Sequence, residues 1–233
     1  MIWGKAARRT AAIVVAAGSS QRMGQDKLWL SIGGTSVIER TLRAFEEAET
    51  VERVIVVTRA AMVAQMSHLC REAGLHKVST VVEGGDTRQR SVAAGLAAVA
   101  GGCDFVCIHD GARPLVRPQD IDAVNRCAWQ CGAAALAVPV KDTVKFTDAD
   151  GVVQQTPDRS RLWLVQTPQV FDAVQFAEAM AFAEKSGEQF TDDCQLMERM
   201  GRPVQLYRGR YSNIKITTPE DALLAQALLQ EDV

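Results

Sequence analysis

Short runs rich in β-branched residues, Ala12 to Ala17, Arg53 to Thr58, Lys77 to Val82, Phe105 to His109 and Ala133 to Val138, alternate along the chain with segments of helical periodicity. A strand that is apolar on both faces must be covered on both faces, and parallel sheets reach that state through helical crossovers. The pattern therefore predicts an α/β fold, a mainly parallel sheet with helices on both faces. The intervening helices are expected over Ser36 to Ala48, Ala60 to Ala73, Thr87 to Ala100 and Pro118 to Gln130, the last opening on a proline, which suits a first helical turn. In open sheets of this kind ligands bind beyond the carboxyl ends of the strands, so the residues that follow each strand are the ones to read for chemistry.

The pattern breaks between Lys141 and Gln166, where charged and polar residues dominate, a turn falls at Asp148 to Gly151, and the helical period is lost. This stretch is expected to leave the sheet as a hairpin or arm. Beyond it, Asp172 to Lys185, Asp192 to Met200 and Pro219 to Leu229 read as helices, and Val204 to Arg208 and Asn213 to Ile216 as extended chain. With 233 residues, 47% of them hydrophobic, one sizeable core and one domain over 1–233 are expected, with the arm at about 141–166. The 26 Lys and Arg against 28 Asp and Glu give a formal charge of -2, which leaves no global positive field for nucleic acid or an anionic membrane. No stretch reaches the ~20 apolar residues of a membrane span.

Lys5, Arg8 and Arg9 before the apolar run Ala11 to Ala17 imitate a short signal peptide, but the run reads as a buried strand and cleavage there would destroy the loop that follows. The six cysteines include no Cys-x-x-Cys, and a reducing cytoplasm is expected. Cys127 and Cys131 share a helical face, yet the three scattered His supply no further ligands, so they read as ordinary buried cysteines.

The first strand runs into Ala16-Ala17-Gly18-Ser19-Ser20-Gln21-Arg22-Met23-Gly24-Gln25-Asp26-Lys27. Small residues after a buried strand let backbone N–H groups approach phosphate oxygens, while Arg22 and Lys27 add positive charge. It is neither a Walker loop nor the dinucleotide fingerprint, and the second strand ends in Thr58-Arg59 with no acid for a ribose. Taken alone it reads equally as a tight turn with solvated bases. The third strand leads into Glu83-Gly84-Gly85-Asp86-Thr87-Arg88-Gln89-Arg90-Ser91, where Asp86 and Ser91 are placed to bond a base or ribose; the plainer reading is a helix capped by Asp86 with Ser91 facing inward. The fourth ends in His109-Asp110-Gly111-Ala112-Arg113-Pro114. Asp110 suits Mg²⁺ or a substrate hydroxyl and Arg113 a phosphate, or the two form a pair that fixes a turn. His109 reads as a satisfied strand-end histidine, not a base.

Together with Val140-Lys141-Asp142-Thr143, Asp158-Arg159, Gln166-Thr167-Pro168-Gln169 and Asn213-Ile214-Lys215-Ile216-Thr217, these segments resemble the 2-C-methyl-D-erythritol 4-phosphate cytidylyltransferase family of isoprenoid biosynthesis, in order from about Ala12 to Asp221. The resemblance implies a Rossmann-like domain whose protruding β-arm joins two subunits, and an enzyme that makes the CDP-alcohol and pyrophosphate from CTP and methylerythritol phosphate with Mg²⁺. It further implies that Ala16, Ala17, Gly18, Ser19 and Lys27 cradle the triphosphate, with Arg22 and Lys27 on the α-phosphate, and that Gly85, Asp86 and Ser91 read cytosine and ribose. Asp110, Arg113, Thr167 and Lys215 would line the reacting centre, Asp110 also being the candidate metal ligand, and Thr143 and Arg159 would grip the substrate phosphate from the neighbouring subunit. Asp26 departs from the family pattern, in which proline is common, and is expected to lower the local positive charge. The rival readings are a cytidylyltransferase for another polyol phosphate such as ribitol 5-phosphate, a nicotinamide-dependent oxidoreductase, and a nucleotide-binding module without turnover.

Overall fold

The computed structural model describes residues 8–18, 26–99 and 101–231. A seven-stranded sheet forms its centre. Its strands are β1 (Thr10–Ala16), β2 (Val51–Thr58), β3 (Val78–Glu83), β4 (Phe105–Asp110), β5 (Ala133–Pro139), β6 (Trp163–Asp172) and β7 (Gln205–Arg208). They lie in the order β7-β5-β6-β4-β1-β2-β3. Six run parallel, and β6 runs antiparallel to both of its neighbours, β4 and β5.

Successive residues of a strand face opposite sides of a sheet, and β1 divides its apolar run accordingly. Ala12 and Val14 face a layer made by α1 (Val37–Glu47), α2 (Val63–Glu72), α4 (Pro118–Cys131) and α7 (Pro219–Glu231), through Phe45, Met66, Ile121 and Ala225. Ala11 and Ile13 face a layer made by α3 (Arg88–Ala98), α5 (Ala173–Ser186) and α6 (Asp193–Arg199), through Val92, Phe176 and Met197. Each larger side chain among these, fully buried, stabilises the fold by about 1.5–3 kcal/mol. Gly95 lets α3 lie close on the sheet, since a Cβ there would stand 2.4 Å from Ile13 Cγ2.

β6 was not expected as a strand. Trp163 to Val165, within the stretch read from the sequence as the end of the arm, pair with β5, with Trp163 opposite Pro139 and Val165 opposite Ala137. The arm is therefore 140–162, and it carries a short ribbon of Phe146–Thr147 on Val153–Gln155. Polar residues at Gln166, Thr167 and Gln169 masked the strand, because their partners are buried polar groups and not apolar neighbours. The ladder with β5 is interrupted between Val165 and Gln169, around Pro168, which has no N–H to give it. Asn213 to Ile216, expected to be extended, forms no strand. It is fixed instead by Asn213 Nδ2 donating to Thr167 O at 2.9 Å and by Ile216 N donating to Ala112 O at 2.8 Å.

From β1 the chain steps outward to β2 and β3, then crosses to β4 on the other side of β1. The carboxyl ends of β1 and β4 thus diverge at a topological switch point, the crevice in which such sheets hold ligands.

Candidate active site

A cavity of about 460 Å³ opens at this switch point. Ala16, Ala17 and Gly18 follow β1 along one wall, Gly85, Asp86, Thr87, Arg88 and Ser91 form the turn from β3 into α3, and Asp110, Lys27 and Lys215 complete it. Of the residues assigned to the nucleotide from sequence, Ala16, Ala17, Gly18, Lys27, Gly85, Asp86 and Ser91 come together here. Ser19 and Arg22 lie outside the described residues.

The α3 turn is shaped by close contact. A Cβ on Gly84 would meet Ser91 Oγ at 2.7 Å and Ala17 Cβ at 2.8 Å, so the two loops touch only because this position is bare. The helix cap is Thr87, whose Oγ1 accepts from Arg90 N at 3.1 Å; Asp86, expected as the cap, is instead paired with Arg90 on the exposed rim. Ser91 does face inward, and its hydroxyl is engaged with Thr87 O at 2.9 Å and Gly85 O at 3.3 Å, holding the turn in shape. Asp26 does not stand beside Lys27 as an uncompensated negative charge. Its carboxylate caps the turn Lys27–Trp29 at Leu28 N and is paired with Arg59 at the end of β2.

Asp110 ends β4 at the cavity floor and is contacted by three cations: Lys215 Nζ at 3.0 Å, Arg88 Nε at 3.3 Å and Arg113 Nε at 3.5 Å. Burial by itself would raise this carboxyl, but Lys215, Arg88 and Arg113 hold it well below the usual carboxylate range. Both oxygens are thereby paired with cations, Oδ1 with Arg88 and Oδ2 with Arg113 and Lys215, so a divalent cation at Asp110, the metal ligand expected from sequence, would share the carboxylate with them. No group of three or more His, Cys, Asp or Glu able to hold a metal occurs among the described residues.

Arg113 and Thr167 stand behind this floor and do not line the cavity. Arg113 Nη1 donates to Asn213 O at 2.8 Å, so the Asp110–Arg113 pair also anchors the segment that presents Lys215. Thr167 Oγ1 accepts from Asp110 N at 3.1 Å and lies 3.0 Å from His109 Nδ1. His109 Nε2 faces Arg113 O at 3.4 Å, a carbonyl that only accepts, so in the neutral ring Nε2 carries the proton and Nδ1 accepts from the Thr167 hydroxyl. Burial pushes the imidazole down to about 3, so His109 is neutral at physiological pH. It is a packed strut, as read from sequence.

Arg88 lines the cavity and was given no role from sequence. Its guanidinium reaches Asp110 and, at 2.8 Å through Nη2, the buried carboxylate of Asp193. Burial works against its charge, but Asp193 and Asp110 outweigh burial and raise its pKa. The available signal was an arginine in the first turn of a helix that opens on a glycine loop; its acidic partner lies far along the sequence. Counting Arg88, Arg113 and Lys215 against Asp110 and Asp193, with His109 neutral, the cluster carries one net positive charge, and Lys27 adds to it. Thr143 and Arg159 lie on the arm, exposed, with Arg159 Nη1 donating to Lys141 O at 2.9 Å. They line no part of this cavity.

Cys131 is exposed, not buried as expected, and its thiol lies against Cys127 O and Ala133 O at the end of α4. No helix of the described residues is long and apolar enough to cross a membrane.

A glycine-lined, net-positive cavity at the switch point of a largely parallel sheet defines an α/β protein built to hold a phosphorylated nucleotide. The comparisons narrow that class. The sequence model of 2-C-methyl-D-erythritol 4-phosphate cytidylyltransferase matches residues 10–231, and the chain belongs to that family. Relatives of that name are 43% identical over 222 residues in Desulforamulus reducens (94% of this chain, 95% of the relative) and 46% identical over 221 residues in Geobacillus kaustophilus (94% and 96%). Among solved structures, 4-diphosphocytidyl-2C-methyl-D-erythritol synthase from Anaerococcus prevotii superposes with a TM-score of 0.87 at 32% identity (96% of this chain, 97% of that one). The cytidylyltransferase of Thermus thermophilus does so at 0.76 and 34% (94% and 98%).

Proposed function

We propose that this chain transfers the cytidylyl group of CTP to 2-C-methyl-D-erythritol 4-phosphate, giving 4-diphosphocytidyl-2-C-methyl-D-erythritol and pyrophosphate. The observation that carries the reading is the convergence of Lys27, Arg88 and Lys215 on one cavity beside the glycine turns, in a chain that the family matches from residue 10 to 231. An oxygen of the acceptor phosphate attacks the α-phosphorus, the bond to the bridging oxygen breaks, and pyrophosphate leaves. The nucleophile is already an anion, so the barrier lies in bringing two polyanions together and stabilising charge at phosphorus. Lys27 and Lys215 supply that stabilisation, and Arg22 is assigned the same role; Ala16 to Ser19 cradle the triphosphate; Gly85, Asp86 and Ser91 surround cytosine and ribose. Asp110, with Arg113 and Thr167 behind it, holds Lys215.

Thr143 and Arg159 belong to the site of a partner subunit in a homodimer joined through the arm, because within one chain they stand apart from the cavity. Exposed Phe146, Val152, Val153 and Leu164 on the arm and at its root supply apolar surface for that contact. The divalent cation, Mg²⁺, enters mainly with the phosphates of CTP, and Asp110 is the candidate protein ligand. The free thiols suit a reducing compartment, the cytoplasm.

Pyrophosphate release is the test, with CTP or UTP, with Mg²⁺ or excess chelator, over a panel of polyol phosphates that includes ribitol 5-phosphate. CTP with methylerythritol phosphate is expected to give the highest kcat/KM, and chelator to abolish turnover. Preference for ribitol 5-phosphate would move the chain to a different acceptor, and equal use of UTP would remove Gly85 and Asp86 from base recognition.

A further inference from the structure

Asp193 presents an unusual demand. Its carboxylate is buried at the start of α6, and a buried carboxylate remains charged only with a partner. Its place is fixed by the backbone, since Asp193 N donates to Gln169 Oε1 at 3.1 Å while Gln169 Nε2 donates to Asp192 Oδ2 at 3.0 Å, clamping α6 onto β6. The cation that meets it is Arg88, whose guanidinium also touches Asp110. Asp110 in turn shares its charge among Arg88, Arg113 and Lys215. Of these three side chains Lys215 is the most exposed, at 38% against 29% and 12%, and it is the one free to turn toward a phosphate in the cavity.

We propose that Arg88 and Asp193 are positioning residues for the transfer: Asp193 holds Arg88 on Asp110, and Arg88 thereby relieves Lys215 of neutralising that carboxylate. Without Arg88, the charge of Asp110 falls on Lys215 and Arg113, and the ammonium is drawn down to the floor and away from the transferring phosphoryl group. Asp193 acts only through Arg88. This rests on the cytidylyl transfer proposed above, and one arm of the test does not depend on it.

Arg88→Met is expected to lower kcat by roughly tenfold or more while leaving KM for CTP within about threefold, because the lost effect is felt in the transition state. Arg88→Lys, which keeps the charge but reaches one carboxylate in place of two, falls between, and also serves if the methionine variant folds poorly. In a double-mutant cycle, Asp193→Asn impairs the wild type but adds little to Arg88→Met, and Arg88→Met adds little to Lys215→Ala. Independently of turnover, the rate at which an amine reagent labels Lys215, read by mass spectrometry, is expected to fall in Arg88→Met, as the ammonium is held more tightly by Asp110. A rise in KM for CTP with kcat unchanged would make Arg88 a direct phosphate ligand and overturn the proposal, as would additive losses in either cycle or unchanged labelling. A wild-type chain inactive with CTP, whose Lys215 labelling still responds to Arg88, would refute the proposed reaction and leave the charge coupling standing.

Discussion

Lys27 enters the cavity from the turn after β1 and Lys215 from the irregular segment after β7, and neither carries the core. Lys27→Ala and Lys215→Ala are therefore expected to lower kcat by about a hundredfold or more, each removing a cation that stabilises transition-state charge. Their melting temperatures stay near that of the wild type, and wild-type turnover by Lys27→Ala would show that another group does its work. His109 behaves in the opposite way, mattering to folding and not to chemistry. In the unfolded chain its imidazole takes up a proton near pH 6.5, as free histidine does. In the folded chain it resists protonation down to about pH 3. Acid thus favours the unfolded state, and the stability His109 contributes is complete above pH 6.5 and is lost as pH falls from there toward 3. The gap in unfolding free energy between wild type and His109→Gln, from urea melts, should narrow between pH 7 and pH 5; a constant gap would mean that the imidazole titrates in the fold as it does in the unfolded chain, and a widening one that the fold favours its charged form. At this scale the sequence disclosed side chains that sit beside glycine turns, because strand ends point there by construction. It did not disclose Asp193, whose role depends on an ion pair between residues that only the folded sheet brings together.

Helix α4 illustrates how elements are locked by buried polar groups. Asp122 accepts from Thr50 N at 2.8 Å and Thr50 Oγ1 at 2.6 Å, and from Glu49 N at 3.2 Å, while Asn125 Nδ2 donates to Thr50 Oγ1 at 2.7 Å. These bonds fasten α4 to the turn between α1 and β2. Asp122→Ala strands those donors out of reach of water and is expected to cost about 2–4 kcal/mol, or roughly 5–15 °C in Tm for a chain of this length. A Tm within about 1 °C of wild type would show that the turn finds other partners. Elements with apolar faces were legible: β1 to β5 and the helices between them lie within a few residues of where periodicity places them. β6 was not, since its central residues are polar and their partners, His109, Asp192 and Asn213, come from three distant segments. Periodicity reports burial against apolar neighbours and is blind to a strand that buries its polar groups in pairs.

As a whole molecule, the chain leaves Thr143 and Arg159 on an exposed arm away from its own cavity, and a two-fold dimer would place them in the partner's site. Homodimers of Lys27→Ala and of Arg159→Ala should each be nearly inactive. Refolding them together at equal ratio makes about half the dimers mixed, and each mixed dimer has one site with both lesions and one with neither, so about a quarter of wild-type activity should return. A mixture as inactive as its parents, beside a wild-type control that recovers, would rule out the shared site. The insertion of β6 between β4 and β5 has a consequence for how this molecule is made. Parallel neighbours along β1, β2 and β3 can dock as they emerge from the ribosome, but β5 has no partner among the strands made before it. Until the chain has been extended through the whole arm and back to Asp172, β4 and β5 each carry a bare hydrogen-bonding edge. A nascent chain paused within the arm is therefore at its most adhesive, and the step that seals the sheet is a long-range closure, slow by its topology.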